Sequence, residues 1–257
     1  MDETILETQG MTKAFRGFVA VDKVDLKVRR GEIHALIGPN GAGKTTCFNL
    51  LTKFLPVTEG RILFNGKDIT RVGPAQTARA GIVRSFQISA VFPHLSVLEN
   101  VRIGLQRRTG MSYHFWRSDR VLHSLNDRAH ALLEQVDLAR FADETTINLP
   151  YGRKRALEIA TTLAMEPTLM LLDEPTQGMG HEDVDRVTRL IKKVSAGRTI
   201  LMVEHNMNVV SSIADTITVL ARGTVLAEGP YSSVSRNPAV IQAYMGTTDT
   251  ALKGAHA

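Results

Sequence analysis

The chain has 257 residues, a formal net charge of +5 and 43% apolar residues, which suits one large domain or a core with a subdomain. No window approaches the ~20 apolar residues of a membrane-spanning helix, and Met1–Thr4 lacks the basic and apolar regions that begin a signal peptide. The single cysteine excludes an intrachain disulfide. There is no long Lys/Arg run and no alternation of arginine with aromatic residues, so we expect no nucleic-acid partner.

The first predicted elements surround a glycine-rich segment. Alternating apolar and polar residues predict a half-exposed strand over Val19–Val28. A second strand is predicted over Glu32–Ile37 and a helix over Thr45–Phe54. Between these two, Gly38–Thr45 matches the phosphate-binding pattern G-x-x-x-x-G-K-[ST] in full. A strand before this pattern and a helix after it predict a nucleoside triphosphate site at the helix N-terminus.

The residue types in this segment suit a triphosphate. Glycines let backbone N–H groups turn towards phosphate oxygens. We expect Lys44 to contact the β- and γ-phosphates and the Thr45 hydroxyl to bind Mg²⁺. The segment's predicted ATP-binding residues are Gly38, Pro39, Asn40, Gly41, Ala42, Gly43, Lys44 and Thr45. Cys47, in the following turn, is interpreted as a buried packing residue, the alternative being a thiol sensitised by the helix end and Lys44.

The rest of the chain alternates between strands and helices around one helical stretch. Strand patterns occur at Arg61–Phe64, Ile82–Phe86, Leu169–Asp173, Thr199–Glu204, Thr216–Ala221 and Thr224–Ala227. From Ile88 to Pro150 helical spacing replaces them, which predicts a helical insertion. The strand–helix alternation predicts an α/β fold with a mostly parallel sheet covered on both faces. Asn237-Pro238 is expected to open a C-terminal helix and Gly246 to close it, with residues 247–257 as a flexible tail.

Polar residues at the ends of apolar strands predict a hydrolytic centre. Asp173 and Glu174 follow four apolar residues, at the sheet edge where α/β folds bind ligands. We expect Asp173 to hold Mg²⁺ through water and Glu174 to polarise the attacking water as a base. His205 follows a similar strand and is expected to contact the γ-phosphate. Gln87 follows another strand, and its amide is expected to bind Mg²⁺ or the water.

These motifs, in this order and spacing, resemble those of ABC transporter ATPases over nearly the whole chain. The residues that carry the resemblance are Gly38–Thr46, Gln87, Leu149–Arg155, Leu169–Pro175 and His205. The chain is most similar to ATP-binding subunits of branched-chain amino-acid importers. That narrower resemblance depends on Phe15–Val21, Gly81–Gln87, Leu98–Val101, the insertion Met111–Asp119 and Val240–Gly246.

The resemblance implies a P-loop NTPase core of the ABC type, with a mixed, largely parallel sheet, an N-terminal antiparallel β part and a helical subdomain. Residues 1–87 and 152–246 would form the core, and 88–151 the helical subdomain with the signature motif. By resemblance, Phe15 stacks on adenine, with Phe18 as its rival, and Thr46 binds the α-phosphate.

In function, the resemblance implies hydrolysis of Mg²⁺-ATP coupled to transport. ATP would close a homo- or heterodimer with a second ABC ATPase subunit. Closure would drive transmembrane permeases, to which a solute-binding protein delivers the solute. The chain would act peripherally at the cytoplasmic face of the inner membrane. Residues Ser89–Val101, with the apolar anchors Val91, Phe92 and Pro93, are the candidate permease contact.

Two segments depart from the family pattern. The signature Leu-Ser-Gly-Gly-Gln, which covers the partner's γ-phosphate, is represented here by Leu149, Pro150, Tyr151, Gly152 and Arg153. Pro150 offers no hydroxyl or N–H, and Arg153 adds a cation that could pair with phosphate or sugar. After Pro175, Gly180 replaces an aspartate that usually contacts the partner. We therefore expect altered electrostatics at the partner's site and pairing with a similar but different subunit.

Three other functions share part of this evidence. A lipid or lipopolysaccharide exporter ATPase would carry the same motifs. A non-transport ABC ATPase that acts on DNA or ribosomes usually has two cassettes, a coiled coil or zinc sites, none of which the sequence indicates. A regulatory nucleotide-binding module without turnover would fit the altered signature.

Overall fold

The computed structural model describes residues 3–85, 91–106 and 125–253. The strands are β1 (Thr4–Phe15), β2 (Phe18–Arg29), β3 (Ile33–Ile37), β4 (Glu59–Phe64), β5 (Lys67–Asp68), β6 (Ile82–Ser85), β7 (Leu169–Asp173), β8 (Thr199–Val203), β9 (Thr216–Ala221) and β10 (Thr224–Gly229). The helices are α1 (Lys44–Leu51), α2 (Pro74–Ala80), α3 (Val97–Gln106), α4 (Asn126–Gln135), α5 (Tyr151–Ala164), α6 (His181–Val194), α7 (Met207–Ile213), α8 (Tyr231–Val234) and α9 (Pro238–Lys253). Gln87 and the insertion Met111–Asp119 lie outside the described residues.

In the described part of the chain the strands form two sheets. The larger has the order β10-β9-β3-β8-β7-β6; its neighbours pair in parallel except for the antiparallel pair β9–β10. Every residue of β3, β7 and β8 is buried, as expected for central strands covered on both faces. The smaller sheet is antiparallel, with the order β2-β1-β4-β5. The prediction of a largely parallel sheet with a separate antiparallel part is confirmed.

Alternate residues of the central strands point into two different cores. Met170 and Leu172 of β7 belong to a core built with α3, α4, α5 and α6. Leu169 and Leu171 belong to the second core, formed with α1 and the antiparallel sheet. The described residues of the helical insertion therefore continue the core on one face of the parallel sheet. Because α5 begins at Tyr151, the domain boundary predicted between residues 151 and 152 falls inside its first turn.

Several element boundaries differ from the sequence prediction. Strand β1 was not predicted, because Gly10, at φ +56°, interrupts its alternation where the register shifts between Thr8 and Met11. Helix α1 ends at Leu51 rather than Phe54. Helix α9 continues past Gly246 to Lys253, so the predicted end was wrong and residues 247–253 are helical. A glycine inside a helix costs only about 1 kcal/mol relative to alanine, and it ends a helix mainly where it adopts the left-handed conformation.

Cys47 is a packing residue, as interpreted. Its side chain is buried in the second core, and burial raises the pKa of the thiol to about 12, which is the opposite of the shift a sensitised thiol needs.

None of the helices in the described ranges combines the length and the apolar character needed to cross a bilayer.

A close backbone approach in the antiparallel sheet generates a stability prediction. A Cβ on Gly60 (φ +88°) would lie 2.2 Å from the carbonyl oxygen of Gly10, whereas a Cβ on Gly31 (φ +83°) meets nothing within 4 Å. We expect Gly31→Ala to cost about 1 kcal/mol of unfolding free energy through backbone strain, and Gly60→Ala to cost about 1–3 kcal/mol more. Urea denaturation of both variants measures the difference; equal destabilisation would contradict the prediction.

Candidate active site

The glycine-rich loop between β3 and α1 is a tight cradle. A Cβ on Gly43, which has φ +101°, would lie 2.7 Å from the carbonyl oxygen of Ala20. Within the loop, Lys44 Nζ donates to the carbonyl oxygens of Gly38 at 2.7 Å and Pro39 at 3.0 Å. The loop thus holds its own ammonium group at the place where its backbone turns, which is the geometry of an anion site with a built-in cation.

Residues that lie far apart in the sequence meet at this loop. Burial lowers the pKa of Lys44, and the charges of Glu174 and Asp173 oppose that effect. Thr45 and Thr46 lie in the first turn of α1, Thr45 exposed and Thr46 half-buried. The cation, both carboxylates and the hydroxyls predicted from separate motifs therefore share one region at the carboxyl edge of the parallel sheet.

Asp173 ends β7 and is buried. Its Oδ2 accepts a hydrogen bond from Arg84 Nη2, and Arg84 Nη1 donates to Asn49 Oδ1 at 2.7 Å. Sequence reasoning did not assign Arg84 to the site. A charged residue inside the short, otherwise buried strand β6 was the signal that could have found it, because a buried guanidinium needs an acceptor.

Glu174 directly follows Asp173 and has φ +44°, a conformation that is uncommon for a residue with a side chain. Its N–H donates to the carbonyl oxygen of Val203 at 2.9 Å. The chain after β7 therefore remains tied to β8 while it turns, and this turn sets the direction in which the Glu174 side chain leaves the sheet.

Glu204 is fully buried at the end of β8 and accepts four hydrogen bonds. Its donors are Thr176 Oγ1, Thr176 N at 3.2 Å, His205 N at 2.7 Å and Asn206 N at 3.0 Å. The His205 ring is 56% exposed, with Nδ1 3.7 Å from Glu204 Oε2. Sequence reasoning placed Glu204 in the strand and gave it no role in the site. In the structure its carboxylate joins the backbone that follows β7, at Thr176, to the backbone that follows β8, at His205 and Asn206.

Arg155, in helix α5, binds the loop after β7. Its side chain is 5% exposed, with Nη2 donating to the carbonyl oxygen of Asp173 at 2.8 Å and Nε to that of Pro175 at 3.1 Å. Nη1 donates to Glu158 Oε2 at 2.5 Å. One buried side chain therefore joins helix α5, whose first turn contains Tyr151–Arg153 of the signature segment, to the backbone of the carboxylate loop.

The signature segment makes local contacts of its own. Tyr151 Oη donates to the carbonyl oxygen of Gln177 at 3.1 Å, and the guanidinium of Arg153 lies 4.0 Å from the centre of the Phe141 ring. A Cβ on Gly152 would lie 2.5 Å from Asp183 Oδ1, so a side chain there would displace the Asp183 carboxylate of α6. Pro150 is the N-cap of α5 and Gly180 the N-cap of α6, while Leu149 is buried in the core.

Two further predicted residues lie at the surface. Phe15 and Phe18 face each other across the β1–β2 hairpin and are both exposed, and Lys13 Nζ lies 5.0 Å from the centre of the Phe15 ring.

The candidate permease anchors differ in exposure. Val91 is buried in the core, whereas Phe92 is exposed, so Val91 is not an exposed anchor.

The chain matches the family model for ABC transporters over residues 21–177 and belongs to that family. It is therefore an ATP-binding, ATP-hydrolysing protein, as its motifs indicate. Residues 219–250 also match the model for branched-chain amino acid ATP-binding cassette transporters.

The named relatives are similar over almost their full length. The high-affinity branched-chain amino acid transport ATP-binding protein BraF of Pseudomonas aeruginosa is 38% identical, covering 96% of this chain and 99% of that protein. The ADP conformation of the ATP-binding cassette MJ1267 superposes with a TM-score of 0.83 at 31% identity, covering 95% and 99% of the two chains. A dimeric post-hydrolysis structure of the cassette MJ0796, bound to ADP and Pi, gives 0.73 at 26% identity, covering 88% and 98%.

The buried position of Glu204 generates a prediction. In Glu204→Gln one carboxylate oxygen becomes an NH₂ group that faces N–H and O–H donors. Since hydrogen bonds to charged groups contribute about 1.5–3 kcal/mol each, we expect a loss of about 2 kcal/mol or more of unfolding free energy. ATPase turnover should also fall, because the His205 and Thr176 backbones lose their acceptor. Urea denaturation and steady-state ATPase kinetics test this prediction, with Glu59→Gln, at an exposed position, as the control. Equal unfolding free energies and equal turnover in the two variants would refute it.

Glu158 generates a prediction about pH. Burial raises the pKa of its carboxyl from 4.5 to about 7, and Arg155 opposes the shift. Between these values the folded protein binds more protons at Glu158 than the unfolded chain, so the group's contribution to stability falls as pH rises from about 4.5 through about 7. Glu158→Gln removes this titration. The difference in unfolding free energy, wild type minus variant, should therefore decrease over that range, and a flat or rising difference would contradict the assignment.

Proposed function

We propose that this chain is the ATPase subunit of an importer for branched-chain amino acids or related small solutes. The observation that carries this proposal is the match of residues 219–250 to the branched-chain amino acid family model, supported by the full-length similarity to BraF. The same motifs would serve a lipid or lipopolysaccharide exporter, for which no feature of the described residues gives separate support.

Binding begins at the glycine-rich loop. Lys44 Nζ, which donates to the carbonyl oxygens of Gly38 and Pro39, would turn to the phosphate oxygens of the nucleotide. The loop N–H groups from Asn40 to Thr46 would surround the phosphates. Phe15, or its hairpin neighbour Phe18, offers an exposed ring on which adenine stacks. The cradle geometry and the exposure of the two rings support these proposed roles.

The oxygen donors at the site fit Mg²⁺. The Thr45 hydroxyl and the Asp173 carboxylate, with Gln87 from outside the described residues, are hard ligands of the type this ion prefers. Arg84 binds Asp173 Oδ2, and the Asp173 carboxylate would hold the ion through water. Bound Mg²⁺ would neutralise the charge that develops on the phosphate oxygens.

For hydrolysis we assign Glu174 as the residue that orients and polarises the attacking water. Its backbone is fixed by the bond to Val203, so the carboxylate can be directed at the γ-phosphate without a large rearrangement. We assign His205, whose backbone is held by Glu204 and whose ring is exposed, to contact with the γ-phosphate and the attacking water.

Coupling to transport requires a second ATPase subunit and permeases. We propose that the signature segment Leu149–Arg153 meets the nucleotide of a partner subunit, as α5 offers its N-terminus there. ATP then adds contacts only in the closed dimer, and hydrolysis removes them. Phe92 is our candidate apolar anchor for a permease at the cytoplasmic face of the membrane, and a solute-binding protein would deliver the solute to that permease.

Hydrolysis is tested with Glu174→Gln in the complex with its permeases. We expect the ATPase rate to fall by about 10²-fold or more, because a positioned base contributes about 10²–10⁴-fold, while ATP still binds. The control is Glu134→Gln, an exposed residue of α4, which should match wild type. Equal rates for Glu174→Gln and wild type would remove the catalytic assignment and favour a regulatory module.

The solute class is tested separately. The complex, reconstituted in liposomes with its solute-binding protein, should hydrolyse ATP faster when leucine, isoleucine or valine is added. Stimulation by a lipid substrate alone, with no response to these amino acids, would contradict the import proposal but leave the ATPase assignment standing.

A further inference from the structure

A pocket on the helical side of the molecule has no place in the cycle described above. We call it the basic pocket. It lies between the end of α4, the first turns of α5 and the middle of α6, and it has a volume of about 400 Å³. The charged residues of its described lining are Asp137, Arg140, Arg153, Arg186, Arg189 and Lys193.

The charge of this lining is one-sided. Five of the described lining residues are cationic and one is acidic. Lys193 Nζ binds Asp137 Oδ1 at 3.0 Å, and Arg186 Nη1 binds Asp183 Oδ1 at 3.0 Å. The three other cations are Arg140, Arg153 and Arg189. Within residues 3–85, 91–106 and 125–245, no carboxylate pairs with any of them. Three guanidinium groups around one concavity repel each other, and an anion between them would relieve that repulsion.

An aromatic ring orients two of these groups. The guanidinium carbons of Arg140 and Arg153 lie 4.7 and 4.0 Å from the centre of the Phe141 ring. Such a contact uses the flat face of the guanidinium and leaves the N–H groups at its edge available. The ring therefore restricts the two side chains without satisfying their hydrogen-bond donors. Held donors lose less entropy when a ligand arrives.

We propose that the basic pocket binds a small ligand carrying two or more phosphate groups, at a site separate from the glycine-rich loop. Its volume lies within the roughly 300–1,000 Å³ of small-molecule sites, and it is concave rather than flat. Planar guanidinium groups match phosphate oxygens two at a time. Three arginines without carboxylate partners suit more than one such group.

The basic pocket also touches the signature segment, because Gly152 and Arg153 belong to both. A ligand held by Arg153 neutralises positive potential beside the N-terminus of α5. Occupancy of the pocket is therefore coupled to whatever the signature segment binds in a dimer, and the coupling acts equally in both directions.

The probe is inorganic pyrophosphate, measured by calorimetry on the full-length monomer in a Lys44→Ala background that removes binding at the glycine-rich loop. We expect binding that weakens roughly tenfold or more in the double variant Arg140→Gln/Arg189→Gln, because two charge-assisted contacts are lost. The control is Lys192→Gln, which removes an exposed cation of α6, the helix that carries Arg189; Lys192 does not line the pocket. The affinity of this variant for pyrophosphate should equal that of the Lys44→Ala parent. Matching melting temperatures for the variants establish that the fold is intact.

Four results would overturn the proposal. The first is no binding of pyrophosphate at millimolar concentration, and the second is an affinity that the double variant leaves unchanged. The third is equal binding of citrate, which would show that phosphate is not what the pocket selects. The fourth is binding only in an ATP-closed dimer formed with a P-loop-intact subunit, which would assign the three arginines to the partner's nucleotide.

Discussion

The guanidinium of Arg155 is the contact on which the geometry of the candidate site depends. It is buried, and it holds the carbonyl oxygens of Asp173 and Pro175 from the helix side of the sheet. Those two carbonyls flank Glu174, so the loop cannot move as a unit without breaking charge-assisted hydrogen bonds in a low-dielectric interior. Removing one member would leave buried groups unpaired, which costs more than the bonds contribute.

A second buried charge does the same for the neighbouring strand. Glu204 accepts from the backbone on either side of His205 and from Thr176. The loops after β7 and β8 are therefore joined to each other as well as to the sheet. Such double anchoring limits the entropy lost when a phosphate and a water must be aligned between Glu174 and His205.

The same arrangement links two surfaces with different roles in the proposed cycle. Helix α5 carries the signature segment at its N-terminus and Arg155 one turn later. A force on the signature segment, applied by a partner's nucleotide, would reach the carboxylate loop through helix α5 and the two hydrogen bonds from Arg155 to the Asp173 and Pro175 carbonyl oxygens. Buried ion pairs such as Arg155–Glu158 are weak contributors to stability but strong constraints on geometry, which suits that use.

The sequence determined the fold class, the glycine-rich loop and the two carboxylates, because each is a local pattern. Continuous apolar runs define buried parallel strands, and G-x-x-x-x-G-K-T fixes a loop conformation within eight residues. Strand β1, whose pattern Gly10 interrupts, and the continuation of helix α9 past Gly246 were not predicted, since a glycine's backbone conformation depends on what it packs against. Only the tertiary structure decided the roles of Arg84, Arg155 and Glu204, whose partners lie far away in sequence. The three arginines of the basic pocket come from separate helical segments, so their proximity could not be predicted from the sequence either. The role of a buried or clustered charge depends on the groups that folding brings beside it.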